Sequence, residues 1–81
     1  MTNYDAIPEL TKDALDRYVN HHIPTGGFLY RVLTNDLFGA LSKADQDNTR
    51  ALHLIVKYIY NELPGSCWGN SKAVEEWLNK R

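Results

Sequence analysis

Thr25-Gly26-Gly27 follows a proline and precedes Tyr30 and Arg31 by one helical turn, and these residue types come nearest to chemistry in the chain. At a helix start the free backbone N–H groups and the positive dipole end form a natural anion site, and glycines let a phosphate approach the backbone closely. Tyr30 and Arg31 would add stacking and charge. The implied chemistry is the holding of an anionic, nucleotide-like small molecule. The stretch lacks the lysine and spacing of a P-loop and follows no strand, and the same residues would serve equally as a tight turn where two helices touch.

A second group is Arg50, His53, Lys57, Tyr60 and Asn61, which share one narrow strip at helical spacing, together with Trp68 and Asn70. Aromatic faces beside basic donors suit a nucleotide base, or equally a partner protein, since Trp, Tyr and Arg dominate binding hot spots. Catalytic constellations are poor. His21 and His22 are neighbours and splay roughly 100° apart on a helix, His53 lies far along the chain, and the single cysteine, Cys67, makes no usual zinc set. A Cys67–His53 nucleophile pair weighs less than the reading of Cys67 as a small hydrophobe. The expectation is a binding protein, not an enzyme, with no metal and no cofactor.

The elements that must position these residues centre on 48–63. Ala51, Leu52, Leu54, Ile55, Val56, Tyr58, Ile59 and Leu63 cover more than half a helical circumference, which predicts a central helix with other helices packed around it. Thr11 is the expected N-cap of a first helix that runs to about His22 with Leu10, Ala14, Leu15, Tyr18 and Val19 on its apolar face. Ile23-Pro24 stops it. Thr25 is then expected to cap a second helix, about Gly27 to Thr34, with Phe28, Leu29, Val32 and Leu33 inward. A break near Asn35 leads to a short helix, Asp36 to Ala44, whose core side is Leu37, Phe38, Ala40 and Leu41. Asp45 caps the central helix, Pro64-Gly65 ends it, and Asn70 or Ser71 caps a last helix over 72–79 that brings Ala73, Val74, Trp77 and Leu78 to one face. The fold class is all-α: a compact bundle of four or five short helices around the central one. Residues 1–81 form a single domain, with 1–9 a loose lead-in.

Composition narrows the function classes. A net charge of −1 argues against general nucleic-acid binding. No stretch approaches the roughly 20 apolar residues needed to span a bilayer, so no membrane partner is expected. The first residues lack a basic start and apolar core, and one cysteine forms no internal disulfide, which together imply the cytoplasm. An 81-residue core without staple or metal favours a homo-oligomer.

Ile23-Pro24-Thr25-Gly26-Gly27-Phe28-Leu29, Val32-Leu33-Thr34-Asn35-Asp36-Leu37, Ala44-Asp45 followed by Asn48, Tyr58-Ile59-Tyr60-Asn61, and Cys67-Trp68-Gly69 leading to Val74 and Trp77 resemble the pattern of a group of small tailed-bacteriophage proteins. The resemblance covers residues 10–78 and implies an origin and a host-cytoplasmic setting; no established activity comes with it. By analogy of size and source, such a protein would act as an accessory factor against host defences. One form is sequestration of an anionic nucleotide-like ligand at Thr25-Gly26-Gly27. The alternative is inhibition of a host complex by protein–protein contact. A DNA-binding helix-turn-helix ranks lowest, since a recognition helix carrying Leu37, Phe38, Ala40 and Leu41 reads bases poorly.

Overall fold

The computed structural model describes residues 3–80; Met1, Thr2 and Arg81, the outer ends of the lead-in and the basic tail, lie outside the described residues. Among these the chain is all-α. Helices α1 (Glu9–His21), α2 (Gly27–Leu33), α3 (Leu37–Lys43), α4 (Gln46–Arg50), α5 (Leu52–Glu62) and α6 (Ser71–Leu78) follow one another, with a 3-10 turn at Gly65–Cys67 before α6.

Six helices replace the expected four or five because the central helix is divided. Asp45 caps α4 by accepting from Asn48 N at 2.8 Å, and the Thr49 hydroxyl donates back to Asp45 O at 2.8 Å. That back-bond competes with the regular ladder and bends a helix. The chain turns at Ala51 (φ −96°, ψ 4°) before α5 begins. Of the apolar face expected for the central helix, Ala51, Ile55, Ile59 and Leu63 are buried and Leu52, Leu54 and Tyr58 half-buried; Val56 alone faces outward, beside Tyr60 of the expected exposed strip.

Thr11 does not cap α1. Pro8 holds the N-cap position and the helix begins at Glu9. Thr11 lies inside the helix, buried, and its hydroxyl donates to Asn48 Oδ1 at 2.6 Å, tying α1 to α4. Leu10, read as part of the apolar face, is exposed: the buried face of α1 runs through Thr11, Leu15 and Tyr18, and Leu10 lies to one side of it. The lead-in packs through Ile7 and Tyr4. Ile7 is buried, the Tyr4 ring meets Tyr58 edge-on at 5.0 Å, and the Tyr4 hydroxyl accepts from Asn61 Nδ2 at 3.2 Å.

The core gathers Leu15 and Tyr18 of α1, Leu29 and Leu33 of α2, Ile55 and Ile59 of α5, Cys67 of the turn and Val74 of α6. Tyr18 is its hub. Its hydroxyl donates to Cys67 O at 2.8 Å, and its carbonyl accepts both from His22 N at 3.0 Å and from Trp77 Nε1 at 2.9 Å. His22, in the left-handed region at φ 57°, closes α1, and its Nδ1 bonds Trp77 O at 2.9 Å. Histidine is among the side chains that tolerate this region.

Between α2 and α3 the expected break is a Schellman turn. Asn35 takes φ 67°, its N–H reaches Val32 O at 3.1 Å, and Asp36 N reaches Arg31 O at 2.8 Å. Asp36 then caps α3 through Gly39 N at 3.0 Å and pairs with Arg31 at 2.8 Å. Gly39 makes room for this, since a Cβ there would fall on Asp36 Oδ2 and 2.6 Å from Arg31 Cδ. The expected core side of α3 is wrong: only Ala40 is buried, and Leu37, Phe38 and Leu41 are exposed. A seven-residue helix held mainly by α2 buries one edge, and its small Gly39-Ala40 edge is the one that allows close approach.

Candidate functional site

Two depressions compete for a function. The first is the glycine-turn cleft, of about 450 Å³, formed where α2 starts against α1 and α6. All five residues expected to bind a ligand, Thr25, Gly26, Gly27, Tyr30 and Arg31, line it. Lys43, at the far end of α3, joins them; no local pattern connected it to this turn, and only the α2–α3 fold-back brings it there. The capping role given to Thr25 is not found. Gly26 holds the N-cap of α2 at φ 97°, ψ 172°, and the Thr25 hydroxyl donates to Gly26 O at 3.4 Å. This backbone region is essentially restricted to glycine, which explains Gly26. Gly27 is different: a Cβ there meets nothing within 4 Å. Arg31 is committed to Asp36, whose carboxyl is held below the usual carboxylate range by the Gly39 N–H and then by the Arg31 guanidinium.

The second depression is an apolar cleft of about 340 Å³ between α3, α5 and the Trp68 loop, lined by Val32, Leu37, Ala40, Leu52, Val56, Ile59, Tyr60 and Trp68 with Asn35 and Asp36 at its polar side. Tyr60 is 71% exposed and leans over Trp68, ring centroids 5.8 Å apart. Trp68 Nε1 is buried with no hydrogen-bond partner among the described residues. An orphaned donor of this kind costs about 1–3 kcal/mol. The loop is fixed by Gly69 N donating to Leu33 O at 2.7 Å and by Asn70, which caps α6 through Ala73 N at 2.8 Å as the sequence implied.

The residues expected to bind a partner are dispersed. Tyr60 and Trp68 meet at the apolar cleft, His53 and Lys57 are exposed along α5, and Asn61 is engaged by Tyr4. Arg50 lies beyond the Ala51 turn, in a shallow depression with Asp47 and Glu9. Asn70 serves as a cap. Besides Leu10, the apolar residues read as inward that the structure leaves exposed are Leu37, Phe38, Leu41 and Val56. For the three on α3 the signal was the pairing of large apolar side chains with the small Gly39-Ala40 edge on one short helix, which cannot bury both sides; Val56 carried no such signal.

Two further titratable groups are shifted by their surroundings. Burial pushes the Cys67 thiol up to about 11, and burial with the Asp16 hydrogen bond at 2.9 Å pushes Tyr58 up to about 12. A thiol so protonated is a poor nucleophile. Among the described residues no three His, Cys, Asp or Glu side chains are grouped to hold a metal ion, and no helix is long and apolar enough to cross a membrane.

The fold and these surfaces define a small all-α protein with one apolar and one glycine-lined cleft. Compared with protein-family models, curated proteins and solved structures, the chain finds no significant match, so its reading rests on its own geometry.

Proposed function

We propose that the protein acts by binding, not catalysis, and that it docks another polypeptide through the apolar cleft between α3, α5 and Trp68. The observation that carries this reading is bare apolar surface: Leu37 and Val56, 57% and 44% exposed, line a formed cleft, and Phe38 and Leu41, 84% and 48% exposed, stand on the same short helix as Leu37. Contiguous apolar patches of this kind mark interaction sites. Where the docked polypeptide is a host protein, in the host-cytoplasmic setting implied by the resemblance to phage proteins, the outcome would be inhibition of its complex. A photo-crosslinking amino acid at position 38 is expected to trap a polypeptide, and the same group at His53 is not. Equal trapping at both positions overturns the reading.

The glycine-turn cleft supports a second reading, sequestration of an anionic nucleotide-like ligand, because Lys43 joins Arg31 beside a backbone left open at Gly27. Calorimetry against mono-, di- and cyclic nucleotides tests it. Loss of binding in Lys43→Ala and Gly27→Ala is expected, and no binding by the wild type overturns it. DNA reading has least support, since α3 turns Leu37, Phe38 and Leu41 outward, apolar side chains that read base edges poorly.

A further inference from the structure

Resting on the docking reading above, we propose that the occupant of the apolar cleft is a second copy of this chain, in a twofold dimer where Phe38 of each copy enters the cleft of the other. Three features of the face fit this occupant. The first is self-complementarity. A twofold interface needs a projection and its receptor on the same patch, so that each contact is made twice. Phe38, 84% exposed, projects from the helix whose preceding residue, Leu37, lines the cleft. The cleft, about 340 Å³, is more than twice the cavity of about 150 Å³ that holds a benzene ring. It therefore accommodates the Phe38 ring with Leu41, one turn along α3, beside it.

The second is area. The exposed parts of Leu37, Phe38, Leu41, Val56 and Tyr60 amount to on the order of 600 Å² of apolar-rich surface, against the roughly 800 Å² that each partner contributes to a standard stable interface. Asn35, Asp36 and the edge of Trp68 supply a rim of the right kind. The third is charge. Asp36, the carboxylate on this face, is already paired with Arg31 at 2.8 Å, and the whole chain carries −1, so two copies meet without appreciable like-charge repulsion. A core of this size, with α3 held chiefly by α2 alone, also gains most from a second copy.

The test is sedimentation of the full chain from low to high micromolar concentration, with Phe38→Asp, Val56→Lys and an equimolar mixture of the two. Both positions are exposed, and circular dichroism verifies that each variant is folded. The wild type is expected to dimerise, and each variant alone to do so about 30-fold or more weakly, the loss of an interface hot spot. The mixture is expected to dimerise again, because one cleft then pairs the introduced carboxylate with the introduced ammonium while the other keeps the native Phe38–Val56 contact. The wild-type Trp68 indole resonance moves on dilution in step with dissociation. A wild type that stays monomeric throughout overturns the dimer, as does a dimer indifferent to Phe38→Asp or a mixture that fails to reassociate. If the monomer's position-38 crosslinker then traps a foreign polypeptide, the docking reading stands without the dimer; if it traps none, both fall.

Discussion

Two regions of this small protein are built on opposite terms. Around Tyr18, hydrogen bonds from distant parts of the chain converge on a helix end: its hydroxyl reaches Cys67, its carbonyl accepts from Trp77 as well as from the local His22 N–H, and the His22 ring returns to the Trp77 carbonyl of α6. Nearly every polar group there has a partner, and Tyr18 itself is 1% exposed. Around α3 the balance reverses. Three large apolar side chains stand in water, the neighbouring Trp68 Nε1 has no acceptor among the described residues, and the local bonds serve mainly to shape the Schellman turn and its cap. The first region is over-determined and holds the fold; the second is held in shape yet leaves its surface uncovered. Marginal domains have little stability to spare for bare apolar area, and this contrast is what supports the docking surface proposed at α3.

The contrast breaks most sharply at the core. Ile55→Ala is expected to cost about 2–5 kcal/mol in chemical denaturation, whereas Phe38→Ala at submicromolar concentration stays within about 0.5 kcal/mol of the wild type. Comparable losses would place α3 inside the cooperative core.

Next come single changes at the two junctions. Tyr18→Phe strands the Cys67 carbonyl in the core and is expected to cost about 1–3 kcal/mol. Gly26→Ala, forced into φ 97°, is expected to cost about 1–3 kcal/mol as well, while Gly27→Ala, with open space and ordinary backbone, leaves the melting curve in place.

Alkaline titration separates the regions more gently. Tyr58 moves from 10 to about 12 and Cys67 from 9 to about 11 on folding, so each binds its proton more tightly in the folded state. Their contribution is complete below about pH 9 and is lost as pH rises through 11 and 12. Stability is expected to fall over that window, and Tyr58→Phe to flatten the upper part of the fall; an unchanged slope would show that Tyr58 is freely solvated. Smallest of all, Lys57→Ala on the exposed side of α5 is expected to shift stability by less than about 0.5 kcal/mol.

Much of this architecture follows from local rules. Helical spacing places Leu15, Tyr18, Leu29, Leu33, Ile55, Ile59 and Val74 inward; Ile23-Pro24 and Pro64-Gly65 end their helices; Asp45 and Asn70 cap theirs. These outcomes depend on backbone sterics and one-turn hydrogen bonds, which neighbouring residues decide among themselves. The five residues of the glycine turn also come to one cleft because they lie at the start and first turn of one helix. Tertiary structure decided the rest. Thr11 left the capping position because Asn48, 37 residues away, accepts its hydroxyl. The central helix divided where Thr49 bonds back to Asp45 and Asn48 is drawn to α1. Lys43 reached the glycine cleft only through the fold-back at Asn35. The side of α3 that is buried was settled by how closely α2 can approach, and Gly39-Ala40 allows what Leu37, Phe38 and Leu41 do not. A periodic pattern states that a helix has an apolar face; whether anything in the same chain covers that face is a property of the assembled fold.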